Sequence, residues 1–67
     1  MDAVISRLLA LTEDGYNQVR VAAIEGLGES GVKDQAVIDR LLALTDDGYN
    51  DVRSAAAKAL GRLYRAN

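Results

Sequence analysis

Apolar and polar residues are spaced along this chain with the period of an α-helix. From Asp2 to Thr12 the apolar residues recur at helical spacing, which predicts an amphipathic helix with a broad apolar face. An acidic pair followed by Gly15 ends the pattern. Residues 13–16 are therefore expected to form a tight turn, with the glycine in the left-handed conformation that often ends helices. Asn17 can then cap a second helix with its side-chain oxygen, which gives two antiparallel helices joined by a short turn.

The second half of the chain repeats the first. A shift of 33 residues aligns Ala3 with Ala36, and 19 of the 27 positions from residue 3 to residue 29 are identical. We therefore predict an all-α fold of four helices, arranged as two hairpins that stack as a short α-solenoid. Residues 1–67 form a single repeat domain in this prediction, with repeat one at 1–33 and repeat two at 34–67.

The remaining helix ends follow from the same rules. A turn is expected at residues 29–33, and Asp34 and Asn50 can cap the third and fourth helices. The fourth helix is expected to continue to Arg65. Small residues in the apolar stripe of the second helix, such as Gly26, predict that a neighbouring helix approaches it closely.

The repeated motif resembles a known family. A period of 33 residues also suits ankyrin repeats, but the ankyrin TPLH motif is absent and the chain has no proline. The chain resembles HEAT-like repeats, particularly the short type related to bilin lyases, and is similar to consensus-designed arrays of such repeats. The resemblance lies in an Asp-containing turn, Val-Arg, two alanines and Leu-Gly, which occur as Asp14, Val19, Arg20, Ala22, Ala23, Leu27 and Gly28 and again as Asp47, Val52, Arg53, Ala55, Ala56, Leu60 and Gly61.

This resemblance implies roles for two sets of residues. One set forms a structural ladder along the turn edge and satisfies helix-end amides, and it comprises Asp14, Arg20, Asp47 and Arg53. The second helix of each repeat is expected to line a concave surface that contacts partners. The two copies differ mainly on one face of this helix, which makes the candidate partner-binding residues Val21, Ile24, Glu25, Ser54 and Lys58. Tyr16 and Tyr49, in the turns, either contact a partner or cover the end of their own hairpin.

Composition restricts the chemistry further. Ten acidic and eight basic side chains give a net charge of −2, which is too balanced to favour nucleic acid or an anionic membrane as the default partner. The chain has no His and no Cys, and the acidic pairs lack the additional oxygen ligands of an EF-hand loop. No apolar run approaches the roughly 20 residues that span a bilayer. We expect a cytoplasmic protein without a cofactor or a metal.

The ends of the repeat pair predict self-association. A chain of this length buries only about 60% of its unfolded surface, and repeat arrays usually need at least three units with polar end caps. The first helix keeps the apolar residues of the internal copy. We therefore expect a homo-oligomer that buries Val4, Ile5, Leu8, Leu11, Leu63 and Tyr64. We favour a closed homo-oligomer, while a head-to-tail ring or filament, a twofold pairing of like ends and an exchange of hairpins all remain open.

The function expected from the sequence is that of a non-catalytic, self-associating scaffold for protein–protein interaction or assembly, which binds a second copy and, as a further candidate, another protein. Two alternatives remain: a fragment of a HEAT-like enzyme such as a bilin lyase, and a weak nucleic-acid binder. A chain this short lacks a walled pocket and the side chains usual in acid, base or nucleophile chemistry, which disfavours the enzyme. The lack of a recognised groove-binding motif disfavours the nucleic-acid binder.

Overall fold

The computed structural model describes residues 2–65, and these residues form four helices: α1 Ala3–Leu11, α2 Asn17–Ser30, α3 Gln35–Leu44 and α4 Asn50–Leu63. The first hairpin pairs α1 with α2 and the second pairs α3 with α4. The most extensive contact between elements joins α2 to α4, so the two hairpins stack side by side. The predicted all-α fold of two stacked hairpins is confirmed.

Helix α1 is closed at both ends by short-range hydrogen bonds. Asp2 is its N-cap, and Oδ1 of its carboxylate accepts the amide of Val4 at 2.6 Å. At the other end the chain leaves through Thr12 with φ −66° and ψ −10°, still in the right-handed region. The prediction of a left-handed Gly15 is wrong, because this continuous turn needs no reversal of handedness. Among the described residues the left-handed glycine is Gly31, with φ 72°, which ends α2.

The caps of α2 and α4 differ from the prediction that Asn17 and Asn50 act as N-caps. Each helix already includes the asparagine, and the N-cap residues are Tyr16 and Tyr49, whose side chains make no capping bond. The asparagines are therefore too late in the chain to cap. The amides of Val19 and Arg20 donate instead to the carbonyl oxygen of Tyr16, and the amide of Arg53 donates to that of Tyr49.

The other two helix ends were predicted to within a few residues. Asp34 occupies the N-cap position of α3, as predicted, but its side chain accepts no capping hydrogen bond. Helix α4 ends at Leu63 with Tyr64 as its C-cap, so the expected extension to Arg65 is wrong. Tyr64 follows the helix directly, and the ammonium of Lys33 lies 4.6 Å from the centre of its ring.

The core lies between the stacked hairpins. It combines large aliphatic residues of α2 and α3 with small alanines of α4, and its fully buried large side chains include Ile24, Leu27, Val37, Leu41 and Val52. The close helix approach expected at Gly26 occurs at Gly28. A Cβ atom on Gly28 would lie 2.9 Å from the Cα atom of Ala59, whereas a Cβ on Gly26 would meet only the side chain of Leu8 in its own hairpin.

Two residues predicted to mediate self-association belong to this core. Ile5 is 5% exposed and Leu63 is 3% exposed, because both pack inward against the helices of their own chain. They are therefore withdrawn from the candidate self-association surface. Val4 and Tyr64 remain exposed, and Leu8 and Leu11 are partly buried.

Candidate functional site

The polar centre of the junction between the hairpins is Arg20, near the start of α2. Its Nε donates to the carbonyl oxygen of Thr12 at 2.7 Å, in its own hairpin. Its Nη2 lies 2.7 Å from Oδ1 of Asp47, in the second hairpin, and Nη1 donates to Oδ2 at 3.4 Å. One guanidinium group thus ties the turn of the first repeat to the turn of the second.

Asp47 accepts hydrogen bonds both across the junction and within its own turn. While Oδ1 pairs with Arg20, Oδ2 accepts the backbone amide of Tyr49 at 3.1 Å, just before α4. The hydrogen bond from Arg20, followed by that from the Tyr49 amide, holds the pKa of Asp47 below its usual range. This carboxylate is therefore ionised at neutral pH, and it acts as a fixed acceptor rather than as a proton donor.

A second contact between the hairpins uses Thr12 and Arg40. Thr12 is fully buried, and its hydroxyl donates to the carbonyl oxygen of Leu9 at 2.6 Å. The same hydroxyl oxygen accepts Nε of Arg40 at 2.9 Å, and Nη2 of Arg40 lies 3.6 Å from the carboxylate of Glu13. The arginine of α3 thus satisfies a buried hydroxyl of the first repeat.

The predicted ladder of Asp and Arg side chains connects the two repeats through a single Asp–Arg pair. Arg20 pairs with Asp47, whereas Asp14 and Arg53 bond only within their own hairpins. Oδ2 of Asp14 accepts the amide of Tyr16 at 3.0 Å, and Nη1 of Arg53 donates to the carbonyl oxygen of Asp47 at 2.6 Å. Within residues 2–65, neither of these two side chains forms an ion pair.

A groove of about 270 Å³ lies between α2 and α4. Acidic side chains of α2 line one side of it and basic side chains of α4 line the other, with small residues between them: Glu25, Glu29, Lys58, Arg62, Ala55 and Ala59. Arg62 and Glu29 form an ion pair of 2.7 Å across the groove. The groove therefore carries opposite charges on its two walls.

The partner-binding candidates are not all on this surface. Glu25 and Lys58 line the groove together, and Ser54 is exposed on α4. Ile24 is fully buried, and it is withdrawn as a contact residue because it fills the core between the hairpins. Val21 is partly buried and packs against the same core.

Identical residues of the two repeats have different surroundings at the outer ends of the stack. Val4 is 65% exposed on α1, whereas its counterpart Val37 is fully buried. A Cβ atom added to Gly28 would lie 2.9 Å from the Cα atom of Ala59 in α4, whereas one added to its counterpart Gly61 would meet nothing within 4 Å. Each end of the chain therefore exposes positions that the internal junction covers.

The sequence was compared with models of protein families. A model described as HEAT repeats matches residues 5–66, which is nearly the whole chain. The chain belongs to the HEAT-repeat family. Comparison with curated proteins and with solved structures gives no match. The finer resemblance to bilin-lyase-related repeats and to designed arrays stays an expectation.

The ion pairs of the described residues join the two HEAT repeats. Arg20 pairs with Asp47, Arg40 with Glu13 and Arg62 with Glu29, and in each pair the two residues come from different hairpins. Within residues 2–65, no three acidic side chains come together in a group that could hold a metal ion. In the same part of the chain no helix has both the length and the apolar character needed to cross a bilayer.

Sequence analysis missed some of the residues that make these contacts. Arg40 and Thr12 connect the HEAT repeats, and no charge pattern in the sequence marks them because their partners lie in the other repeat. Glu29 and Arg62 did carry a signal, since the two copies have opposite charges at this equivalent position. Tyr16 is 74% exposed and Tyr49 is 58% exposed, so both rings cover little of their hairpins and stay available for contacts.

Proposed function

We propose that this HEAT-repeat chain is a non-catalytic assembly module that associates with further copies of itself through the ends of the stack. The observation that carries this proposal is the contrast between Val4, 65% exposed, and Val37, fully buried. The same residue in the same repeat position is buried where a neighbouring repeat lies against it. The exposed copy therefore marks a face that a further repeat would cover.

The small number of repeats in the chain supports the proposal. Each repeat of a solenoid buries its apolar face only against its neighbours, and a stack of two leaves both outer faces uncovered. Polar residues on the outer face of α1 would make such a contact unnecessary, but α1 repeats the apolar sequence of α3 nearly unchanged. Association with another copy would bury the same faces and add to the stability of a chain of 67 residues.

The non-catalytic part of the proposal rests on the side chains available. The sequence has no His and no Cys, and the most strongly held carboxylate, Asp47, is committed to Arg20 and to a backbone amide. The groove between α2 and α4 has a volume of only about 270 Å³, and its acidic and basic walls are joined by the ion pair of Glu29 and Arg62. Such a surface suits binding better than it suits exclusion of water from a reaction.

The decisive experiment is the molar mass of the full chain in solution. Light scattering or sedimentation equilibrium at micromolar concentration should give a mass well above that of the 7.2 kDa chain. A mass that stays at the monomer value across this range would contradict self-association. Binding of another protein at Glu25, Ser54 and Lys58, and a cytoplasmic location, stay predictions.

A further inference from the structure

We infer that the copies associate head to tail, with each contact between chains repeating the internal junction. This inference rests on the proposed self-association and specifies its geometry. The head of the chain is defined here as the outer face of the α1–α2 hairpin, and the tail is the outer face of the α3–α4 hairpin. The occupant of each end is the opposite end of a second copy.

The apolar surfaces of the two ends have the composition that this arrangement needs. The head exposes or half-exposes positions whose counterparts in the second repeat are buried in the junction: Val4, Leu8, Leu11, Val19, Ala22 and Gly26. The tail does the same with positions whose counterparts in the first repeat are more deeply buried: Leu42, Thr45, Ala57, Leu60 and Gly61. A tail placed on a head covers both sets together.

The close helix approach of the junction can also be repeated. Internally, Gly28 admits Ala59 so closely that a Cβ on the glycine would lie 2.9 Å from the Cα atom of the alanine. The counterpart of Gly28 in the tail is Gly61, which faces open space in the single chain. The counterpart of Ala59 in the head is Gly26, which is smaller still. The tail helix therefore keeps the glycine that a second junction requires.

The charged side chains at the two ends favour head-to-tail contact over pairing of like ends. The internal bond joins Arg20 to Asp47, and a shift by one repeat turns this into Arg53 of one copy and Asp14 of the next. Asp14 lies on the head and Arg53 on the tail. A head placed on a tail forms this ion pair, whereas two heads contain two copies of Asp14 without Arg53 and two tails contain two copies of Arg53 without Asp14.

A second polar contact of the internal junction can also be repeated between a head and a tail. Arg40 reaches the Thr12 hydroxyl and Glu13 across the internal junction. The corresponding groups are Arg7 on the head, which is exposed, and Thr45 with Asp46 on the tail. Each polar group of the internal junction thus has a counterpart on the correct end of the chain.

The test uses two variants that block one end each and leave the core untouched. Gly61→Arg places a long side chain on the tail where the single chain has open space, and Val4→Lys places a charge on the exposed surface of the head. Gln18→Arg and Ala3→Lys are the matched controls. Each adds one positive charge at a position that is exposed in both repeats and is therefore outside the junction.

The expected result is specific to head-to-tail contact. Gly61→Arg alone and Val4→Lys alone should each be monomeric at concentrations where the wild type and both controls are assembled. A mixture of the two blocked variants should form a one-to-one dimer of twice the 7.2 kDa chain mass and nothing larger, because only one open tail and one open head remain. Sedimentation velocity and native mass spectrometry measure both results, and circular dichroism verifies that each variant is helical.

Different outcomes would overturn different claims. If one blocked variant keeps the wild-type mass, or if the mixture stays monomeric, the copies pair in another way and the head-to-tail inference is wrong while self-association stands. A monomeric wild type would overturn the proposed function together with this inference.

A charge exchange tests the ion pair itself. Asp14→Arg and Arg53→Glu should each weaken association by about tenfold or more, and the chain carrying both changes should recover most of the loss because the pair is restored in reverse. A double variant that associates no better than the weaker of its two parents would exclude this contact.

Discussion

At the residue scale, Arg20 shows why the junction uses arginine. Its Nε is directed at the Thr12 carbonyl and its two terminal nitrogens are directed at the Asp47 carboxylate, so one rigid planar group donates in two directions. A lysine has a single ammonium group on a flexible stem and cannot span both acceptors with the same geometry. Arg53 occupies the same repeat position but bonds only within its own hairpin.

We predict that Arg20→Ala lowers the free energy of unfolding more than Arg53→Ala does. Loss of the charged hydrogen bond to the Thr12 carbonyl alone should cost about 1.5 kcal/mol or more, and the link to the second repeat is lost with it. Both changes should be made in the Val4→Lys background, where association does not contribute. Urea unfolding followed by circular dichroism measures the difference, and equal losses would show that Arg20 does not hold the repeats together.

The acid sensitivity of the fold should depend on Asp47. Because Arg20 and the Tyr49 amide lower the pKa of Asp47 in the folded chain, the unfolded chain takes up this proton first as the pH falls. The stabilisation is therefore complete well above the unfolded pKa of about 3.9 and is lost as the pH falls through the lower folded value. Asp47→Asn should flatten the decline of unfolding free energy below about pH 4.

Urea unfolding at a series of acid pH values provides the measurement for Asp47. Arg20→Ala is the matched variant, because it removes the first cause of the lowered pKa without changing the carboxyl group, and it should flatten the same decline. A wild-type pH dependence in Asp47→Asn would show that other carboxyl groups control acid unfolding.

At the element scale, the contact between α2 and α4 depends on backbone proximity. The absence of a side chain at Gly28 lets Ala59 lie directly against the helix, and this close approach brings Ile24 and Leu27 into the core. A glycine inside a helix is normally a cost, since it loses more conformational freedom on folding than alanine does. Gly28 is tolerated because the packing that it permits outweighs this cost.

Replacement of the equivalent glycines Gly28 and Gly61 by alanine should therefore change the stability of the chain in opposite directions. Gly28→Ala should destabilise the chain by about 1–2 kcal/mol, because the strain of an added methyl against backbone exceeds the gain in helix propensity. Gly61→Ala should stabilise it by about 0.5–1 kcal/mol in the Val4→Lys background, because the added methyl meets no atom. Thermal unfolding of both variants measures the contrast, and a change of the same sign in both would contradict it.

At the scale of the whole molecule, neither hairpin contains a complete core. Ile24 and Leu27 of the first hairpin are fully buried in a core that they share with residues of α3 and α4, and the most extensive contact of the structure lies between the hairpins. The helices have between 9 and 14 residues, a length at which isolated helices are marginal in water. Stability is thus a property of the stack.

Separate peptides for the two repeats should therefore be poorly folded. Peptides of residues 1–33 and 34–67 at low micromolar concentration should each show much less helix by circular dichroism than the full chain. An equimolar mixture should regain helix, because the junction can form without a covalent connection. Full helicity in either peptide alone would show that a single repeat is self-sufficient.

The elements could be predicted from the sequence because they depend on local information. Helical spacing of apolar residues and a duplication at 33 positions determined four helices in two hairpins, since both signals lie along the chain itself. Details of the turns were less accessible. The roles expected for Gly15, Asn17 and Asn50 were wrong because the carboxylates of Asp14 and Asp47 accept hydrogen bonds from the amides two residues later and so organise the ends of the turns.

Burial and pairing were decided only by the tertiary structure. Val4 and Val37 are the same residue in the same motif, and so are Gly28 and Gly61, yet one member of each pair is enclosed and the other is open. Sequence analysis placed Ile5, Ile24 and Leu63 on contact surfaces, although all three lie in the core. A repeated sequence encodes the same helix twice, but whether its side chains meet protein or water depends on which neighbouring repeat lies against it.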